Sequence, residues 1–535
     1  MDLERVQTDA LVIGGGLAGL SAALELRAGG LTVTLVSKGK AGQSGNTIMT
    51  RNSMAAVLTE APKSGTISEH IEDTLTAGAN LNELKLVEAL AQQAEAGIKS
   101  LERWGVPFLR QDGDGSISTK GSPGHRRQRI ITVDARHLRS THNAGLALSL
   151  PLLNKAKETG IQLINGILIT GLLKKDGMVG GAYGLDRSRP RVWVIEARVV
   201  ILASGGVGQI YPLTTNAGDV SGDGYALGHL AGAKLRDLEF IQFHPTVSMG
   251  PNKEVLSTAP FSDGAVLRNR LGEAFMVRYS PQGDMAARDV MARAVYEEIN
   301  SGRGSERGGV YVDFSQVPPS KMAREYEPIQ RRLNGSTTVE VGTAAHFMMG
   351  GIVIDECGRT GVPGLYACGE VTGGVHGANR LAGNALTEAV VFGLAAGRHA
   401  GEDLKNALLD RPQGSERIHG LLEWAEIERL LAEDGIFLKQ ANLMRNTEGL
   451  SLDVIKKEMR TLMGLHVGIV RSGSGLMQAK EKLSQFEAYL KTYSCQEYGD
   501  LLALRQLRLI LLTAKLITEA AWKRPESLGA HYRVD

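Results

Sequence analysis

The sequence lacks the features that define several protein classes. Its three cysteines, Cys357, Cys368 and Cys495, form no C-x-x-C pair in 535 residues, which argues against a disulfide framework and against an iron–sulfur cluster held within this chain. Neither sign of charge dominates, with 60 basic and 58 acidic residues, so nucleic acid is not an expected partner. The apolar run from Leu501 to Trp522 is interrupted by charged residues, which favours a buried or amphipathic helix over a membrane span.

Cellular location is expected to be cytoplasmic, with peripheral attachment to a membrane complex as the open alternative. The N-terminus has no signal-peptide layout, and few cysteines fit a reducing compartment. Glycine, in contrast, is abundant: there are 66, about 12% of the chain against an average near 7%. Many glycines with only 5% aromatic residues suit a backbone that closely approaches a bulky cofactor.

The first forty residues predict a β-α-β unit. A strand is predicted over 9–13, a helix over 20–28 and a second strand over 32–36. Between the first strand and the helix, Gly14 permits a tight turn, Gly16 lets the backbone approach a pyrophosphate, and Gly19 lets the helix pack on the strand. Ser37 and Lys38 follow the second strand in place of the acidic residue that binds the ribose of NAD. The unit therefore predicts a dinucleotide other than tightly held NAD.

A second glycine-rich stretch, from Pro363 to Leu386, predicts a strand, a turn and a helix that starts near Asn384. The N–H dipoles of that helix start would face the flavin position where negative charge collects. Together with three further motifs, this stretch resembles one family: the flavoproteins that comprise succinate dehydrogenase and fumarate reductase flavoprotein subunits and L-aspartate oxidase. The resemblance covers nearly the whole chain. The three motifs are Glu239–Thr246, Ala287–Asp289 and Ala345–Gly351.

The resemblance implies an α/β fold in which an inserted α+β capping domain splits a Rossmann-like FAD-binding domain, with a helical C-terminal domain after it. On this sequence the FAD-binding domain would take residues 1–240 and 346–410. The capping domain would take 241–345, and the helical domain 416–535.

The resemblance also implies FAD as cofactor. In the respiratory complexes a histidine in the loop that corresponds to 44–47 is bonded to FAD; Asn46 stands at that place, so non-covalent FAD is expected. No metal site is predicted. The residues that would hold FAD are Gly14, Gly16, Gly19, Ser37, Lys38, Ser44, Gly45, Asn46, Thr47, Asp223, Glu370, Asn384, Ala385 and Leu386.

By the same resemblance, the substrate is a small dicarboxylate or related carboxylate. Arginine offers a planar fork that matches a carboxylate, and Arg380, with His244, His346 and Thr258, would grip the substrate. Arg288 would exchange a proton with one carbon while flavin N5 exchanges a hydride with the next. The chain is thus interpreted as an FAD-dependent oxidoreductase of fumarate reductase or succinate dehydrogenase type.

Two positions depart from the family pattern. After Thr258, the usual Glu-Gly-x-Arg sequence is replaced by Ala259-Pro260-Phe261-Ser262-Asp263, so the residues that relay protons to the catalytic arginine have no counterparts. Asp263, water or a different chemistry could take over. Lys120 stands where L-aspartate oxidases place a glutamate for the substrate ammonium, and a lysine there would repel it.

Three alternatives stay open. The chain could be an L-aspartate oxidase that feeds NAD synthesis. It could be an electron-transfer subunit of a larger complex, exchanging electrons with a separate iron–sulfur or other electron-transfer subunit. It could also be an FAD-binding protein that lost catalysis together with its proton relay.

Overall fold

The computed structural model describes the chain except residues 51, 112–113, 123, 137, 139–143, 250–254, 257, 325, 410–423 and 434–449. The proposed domain limits at 410 and 416 lie outside the described residues. The division into domains by residue number therefore stays a proposal.

The first part of the chain forms the nucleotide-binding sheet and the helices that cover it. Its elements are β1 (Asp2–Ile13), α1 (Leu17–Ala28), β2 (Val33–Ser37), α2 (Asn46–Met49), β3 (Ser53–Ala55), α3 (Ile67–Ala77), α4 (Leu84–Arg103), β4 (Thr119–Lys120), β5 (Ile130–Thr132), α5 (Leu146–Glu158), β6 (Gln162–Asn165), β7 (Ile167–Lys175), β8 (Met178–Asp186), β9 (Arg191–Leu202), α6 (Asp223–Ala231) and β10 (Leu235–Arg236).

The main sheet has the strand order β6-β2-β1-β9-β8-β7. β1 runs parallel to β2 and β9, and the predicted β-α-β unit is present. β1 starts at Asp2, well before the predicted position 9, because residues 2–8 pair with 191–197 of β9. That first half alternates between exposed and half-buried residues, so it carries no apolar run that the sequence could reveal.

The inserted capping domain has its own antiparallel sheet, ordered β11-β14-β13-β12. A separate apolar core lies beneath it and includes Leu267, Phe275 and Val341. The elements of this insertion are β11 (Ile241–Ser248), β12 (Val266–Arg268), α7 (Arg288–Glu298), β13 (Val310–Asp313), α8 (Pro319–Arg324), α9 (Glu327–Leu333) and β14 (Thr338–Met348).

The chain then returns to the main sheet. β16 pairs in parallel with the second half of β9, whereas β8 pairs with the first half, so β9 serves two neighbours along its length. The returning elements are β15 (Gly351–Val353), β16 (Leu365–Ala367), β17 (Thr372–Gly373) and α10 (Asn384–Leu409).

The last part of the chain is helical. The described helices are α11 (Trp424–Glu433), α12 (Leu452–His466), α13 (Gly473–Thr492) and α14 (Tyr498–Lys523). α14 coincides with the predicted buried or amphipathic helix, and its buried residues include Leu504, Leu511 and Ile517. No helix in the described ranges combines the length and apolar character needed to cross a bilayer.

Candidate active site

The glycines of the first loop are required by close backbone packing. Gly14 has a φ of 123°, and a Cβ built on it would lie 2.1 Å from the Ala203 carbonyl oxygen. A Cβ on Gly19 would lie 1.9 Å from the Gly14 oxygen. Gly16 is the N-cap of α1, and the next amide, Leu17 N, donates to Thr47 Oγ1 at 2.9 Å. The loop thus leads into a helix N-terminus whose N-cap is a glycine without a capping side chain, which is suited to phosphate.

Gly14→Ala is expected to weaken FAD binding about fivefold to a hundredfold, because a strained φ and a backbone clash cost about 1–3 kcal/mol and each 1.4 kcal/mol is a factor of about ten in affinity. The measurement is the ratio of flavin to protein absorbance after purification. Gly177→Ala is the matched control: Gly177 also has a positive φ, 81°, but no atom lies within 4 Å of the place that its Cβ would take. Full flavin content in the Gly14 variant would contradict this account of the loop.

Lys38 and Asp223 connect the end of β2 to the start of α6. Lys38 Nζ forms an ion pair with Asp223 and donates to Ser221 Oγ at 2.6 Å. Ser37, beside it, is buried. These predicted FAD residues therefore lie together at the carboxyl end of β2, and the parallel strand β1 ends at the glycine loop beside them.

Asn46 joins the loop 44–47 to two other segments. Its Nδ2 donates to Glu370 Oε2 at 2.9 Å and to Asn216 Oδ1 at 3.1 Å. Its Oδ1 accepts from Ala217 N at 3.2 Å. Burial raises the pKa of Glu370 to about 7, although hydrogen bonds from Asn46 and from the Met348 amide oppose the rise. Asn46, which the sequence predicts to replace the flavin-bonded histidine, thus orders Glu370 and Asn216.

Glu370→Gln is expected to change how the stability of the FAD-free protein depends on pH. The folded protein holds the Glu370 proton more tightly than an ordinary carboxyl with pKa 4.5, so this group lowers wild-type stability as pH rises from about 4.5 to about 7. The glutamine variant should gain stability over wild type between pH 5 and pH 8, by at most about 3 kcal/mol at 1.36 kcal/mol per unit. Urea unfolding at both pH values measures it, with the exposed Glu356→Gln as control. An equal difference at both pH values would contradict the assigned pKa.

Asn384 begins α10 and is fully buried. Its Oδ1 lies 2.9 Å from His70 Nε2, and its Nδ2 donates to Thr74 Oγ1 at 3.0 Å. Burial lowers the pKa of His70 to about 4, so the ring is neutral. α3 therefore fixes the helix start predicted to face the flavin, with Ala385 and Leu386 in its first turn.

Arg380 is held in place by neutral groups. Its Nη2 donates to Gln242 Oε1 at 2.8 Å, and its guanidinium lies 4.8 Å from the centre of the Phe347 ring. Its Nε is buried without a partner. Burial and the like charge of Arg288 lower the pKa of Arg380 to about 9, which leaves it charged at neutral pH. A buried cation of this kind favours an anionic ligand.

His244 and His346 meet where two strands of the capping sheet reach the FAD-binding domain. Their ring centroids are 5.2 Å apart. His244 is brought there by an irregularity in the β11–β14 pairing between His244 and Val247, where Pro245 cannot donate to the ladder. His346 Nδ1 lies 2.8 Å from Thr215 Oγ1. Burial, followed by the charges of Arg380 and Arg288, lowers the pKa of His346 well below its usual value.

Arg288 is the first residue of α7 and is half-buried. Within the described part of the chain it has no ion pair or hydrogen bond through its side chain. Burial lowers its pKa, and its charge lowers the pKa of both His346 and Arg380. Two arginines and two histidines thus lie close together, as the sequence predicts for this set.

Thr258 is not linked to this group by any described contact. It lies just before a short 3₁₀ helix, Ala259–Asp263, and its carbonyl accepts from Phe261 N at 3.3 Å. Asp263 pairs with Lys321 and accepts from Tyr326 Oη at 2.5 Å, which together lower its pKa. A carboxylate held ionised in this way is a poor proton donor at neutral pH. Lys120 lies on β4 with its side chain exposed.

Several residues that shape the site were not among the predicted site residues. Gln242 orients Arg380 and also donates to Asn379 Oδ1 at 2.7 Å. Asn216 donates to the His346 carbonyl at 2.8 Å, and Thr215 holds the His346 ring. All three are buried polar residues inside or beside conspicuous sequence motifs. The position of Gln242, two residues before His244 on a strand, could have indicated its role.

Comparison with known proteins assigns the class. Residues 9–386 match the family model of the FAD binding domain, and residues 456–535 match that of the fumarate reductase flavoprotein C-terminus. The protein is an FAD-dependent oxidoreductase. The chain belongs to the family of flavoproteins that includes the fumarate reductase and succinate dehydrogenase flavoprotein subunits and L-aspartate oxidase.

Similar proteins cover the chain from end to end. It is 37% identical to a subunit of the fumarate reductase (CoM/CoB) of Methanothermobacter marburgensis, over 100% of this chain and 95% of that protein. It is 33% identical to L-aspartate oxidase of Pseudomonas aeruginosa, over 99% of this chain and 96% of that protein. A solved structure of Mycobacterium smegmatis Sdh1 is 30% identical and superposes with a TM-score of 0.85, over 99% of this chain and 89% of that one. These matches confirm the α/β fold with a capping domain and FAD as cofactor.

The residues present fit FAD. The glycine loop packs so closely that Gly14 and Gly19 have no room for a Cβ, and it ends in a helix N-terminus. A Cβ on Gly206 would lie 2.1 Å from Glu370 Oε1, so a third segment also needs glycine beside the predicted FAD residues. Two helix N-termini, of α1 and α10, suit the pyrophosphate and the flavin ring respectively.

Proposed function

We propose that this protein catalyses hydride transfer between FAD and a small dicarboxylate, reducing the double bond of a substrate such as fumarate or running the reverse reaction. The observation that carries the proposal is the charge of the site. Arg380 is buried with its Nε unpartnered, and the like charge of Arg288 lowers its pKa in addition to burial. Among the described residues neither guanidinium forms an ion pair with a carboxylate. A dianionic substrate supplies the missing counter-charge.

FAD supplies the hydride when the substrate is reduced, or accepts it in the reverse direction. We infer that it is held without a covalent bond, because Asn46 occupies the position of the bonding histidine. The fourteen residues predicted to hold it are proposed in that role.

Arg380 is proposed to bind one carboxylate through its unpaired Nε and the fork of its guanidinium. The neutral His346, held at Nδ1 by Thr215, is proposed to donate from Nε2, and His244 lines the same place. Together they pull electron density toward the bound carboxylate, which polarises the double bond for reduction. Thr258 is proposed as an additional ligand on the capping side.

Arg288 is proposed to give the proton. A guanidinium is a weak acid in water, with a pKa above about 12, and burial lowers that pKa here. The nearby charge of Arg380 disfavours a second cation and so makes release of the proton easier. Asp263 is tied to Lys321 and Tyr326, so we infer that water reprotonates Arg288.

Anaerobic photoreduction followed by mixing with fumarate tests this function. Bleached flavin should regain its absorbance near 450 nm with fumarate and should not with crotonate, which lacks the second carboxylate. Rapid reoxidation by crotonate, or none by any unsaturated dicarboxylate, would rule out the proposal.

L-aspartate oxidation is the second candidate, because relatives with that name are 33% identical over nearly the whole chain. Against it, the site carries cations where an ammonium must be accepted, and by the sequence resemblance Lys120 corresponds to the glutamate that would accept it. Aerobic incubation with L-aspartate decides between them. Peroxide formed at a rate comparable to fumarate-driven reoxidation would establish the oxidase.

We further propose that a separate protein exchanges electrons with this chain. The relative from M. marburgensis is named as one subunit of its enzyme, and the three cysteines of this chain are free. An iron–sulfur or other electron-transfer subunit would be the partner, and the site of action would be the cytoplasm or the surface of a membrane complex. Affinity purification from the native organism, with iron and sulfide analysis of what is retained, tests this assignment.

A further inference from the structure

The C-terminal tail, residues 524–535, touches the FAD-binding domain immediately beside the substrate arginine. Ala530 N donates to the Ala378 carbonyl at 3.0 Å. Gly529 lies so close that a Cβ on it would be 2.5 Å from the same oxygen. Ala378 is two residues before Arg380, so the tail packs on the segment that carries the carboxylate clamp.

The tail is fixed at this place by a buried contact. His531 is fully buried, and its Nδ1 lies 2.5 Å from Arg471 Nη1. Arg471 also donates to the Glu239 carbonyl at 2.7 Å, in the segment that leads into β11. The His531 ring packs edge-on against Phe240 at 6.4 Å between centroids. The tail is therefore held in a defined position against the segment that leads into β11.

Arg293 of the capping domain bonds to this tail. Arg293 Nη1 donates to the Gly529 carbonyl at 3.3 Å, and its guanidinium lies 5.1 Å from the centre of the Tyr532 ring. Its Nη2 forms an ion pair with Asp289 Oδ2 at 3.0 Å. Arg293 and Asp289 both belong to α7, the helix that begins with Arg288. The same helix therefore carries the proposed proton donor at its start and a bond to the tail further along.

We propose that Arg293 is a positioning residue. By binding Gly529 and Tyr532, it ties α7 to the FAD-binding domain and sets where Arg288 stands relative to Arg380. α7 also packs on β11 and β14 of the capping sheet, and Arg293 adds a direct bond from this helix to the tail. The effect of Arg293 on turnover rests on the proposed function, whereas its effect on the position of α7 does not. A displacement of about 1 Å at a reacting group can cost about a hundredfold in rate.

Substitutions at Arg293 and at Tyr532 test the positioning role by their effect on kinetics. Arg293→Ala and Tyr532→Ala should each lower kcat for fumarate reduction about tenfold to a hundredfold, with KM within about threefold and with full flavin content, because the carboxylate clamp is untouched. Arg293→Lys and Tyr532→Phe keep the cation and the ring face, so each should retain most of the activity. Arg270→Ala, at an exposed arginine of the same capping domain, is the matched control.

A second measurement is independent of turnover. Cysteines are introduced at two exposed positions, Val277 of the capping domain and Leu84 of α4, and Cys357 and Cys495 are replaced by serine. Spin labels on the two new cysteines then report the distance between the domains. Arg293→Ala should broaden or shift that distance, and Arg293→Lys should not. If the wild type fails to reduce fumarate, the proposed function falls while the label distances still decide the positioning role. Unchanged distances in Arg293→Ala, or a kcat equal to wild type, would overturn it.

Discussion

Arg288→Gln is expected to abolish turnover while the flavin stays bound. Glutamine keeps much of the side-chain volume at the start of α7 but carries no proton that it can release. A positioned general acid contributes about 10²–10⁴-fold to a rate, so fumarate-driven reoxidation should slow by at least about a hundredfold. Flavin absorbance should stay at the wild-type level, since Arg288 makes no described contact with the predicted FAD residues.

Stopped-flow reoxidation of the photoreduced variant measures this loss directly. Arg270→Gln, in the same domain but exposed, should behave as wild type. Should the Arg288 variant keep its activity, a different group gives the proton, and the role assigned to Arg288 is wrong.

Arg380→Gln is expected to destroy recognition of the second charge on the substrate. Removing one partner from a buried, hydrogen-bonded charge pair costs about 2–5 kcal/mol. At about 1.4 kcal/mol per factor of ten, kcat/KM for fumarate should fall by roughly thirtyfold to several thousandfold. The preference for fumarate over crotonate should shrink with it. Gln242 Oε1 would also lose its donor, which adds to the loss.

Steady-state kinetics with both acids, and titration of the oxidised enzyme with succinate followed by flavin difference spectra, measure the effect. Arg359→Gln is the control, because Arg359 lies in the same part of the chain but pairs with Asp403 at 2.8 Å. A variant at Arg380 that binds succinate as tightly as wild type would mean that the carboxylate sits elsewhere.

The glycine loop could be predicted from residue type and local spacing. Arg288, Arg380 and the two histidines were named through the resemblance to the flavoprotein family, because they lie in the motifs that carry it. Their assembly depends on contacts between distant segments. Gln242 reaches Arg380 across 138 positions, and no local pattern shows that Asn46 bonds to Glu370.

Other differences have equally specific causes. The helices α3 and α4 are separated by a break at 78–83, where Ala79 and Asn80 adopt positive φ values of 55° and 57°. The sequence predicted limits for the capping domain but no strands within it. Its sheet has four strands, and a strand as short as β12, three residues long, carries too little pattern to be predicted. Asp263 looked available as a proton relay from its sequence position, and only the structure shows that Lys321 and Tyr326 engage it.

The shared strand β9 has a consequence for how the protein is made. Its second half receives β16 only after the chain has passed through the whole inserted domain, since Val200 pairs with Leu365. Pairings between such distant positions form slowly, and domains emerging from the ribosome fold in chain order. The nascent chain therefore lacks both β16 and the α10 start until the insertion has been translated. Loading of the yellow cofactor is accordingly a late step in biogenesis.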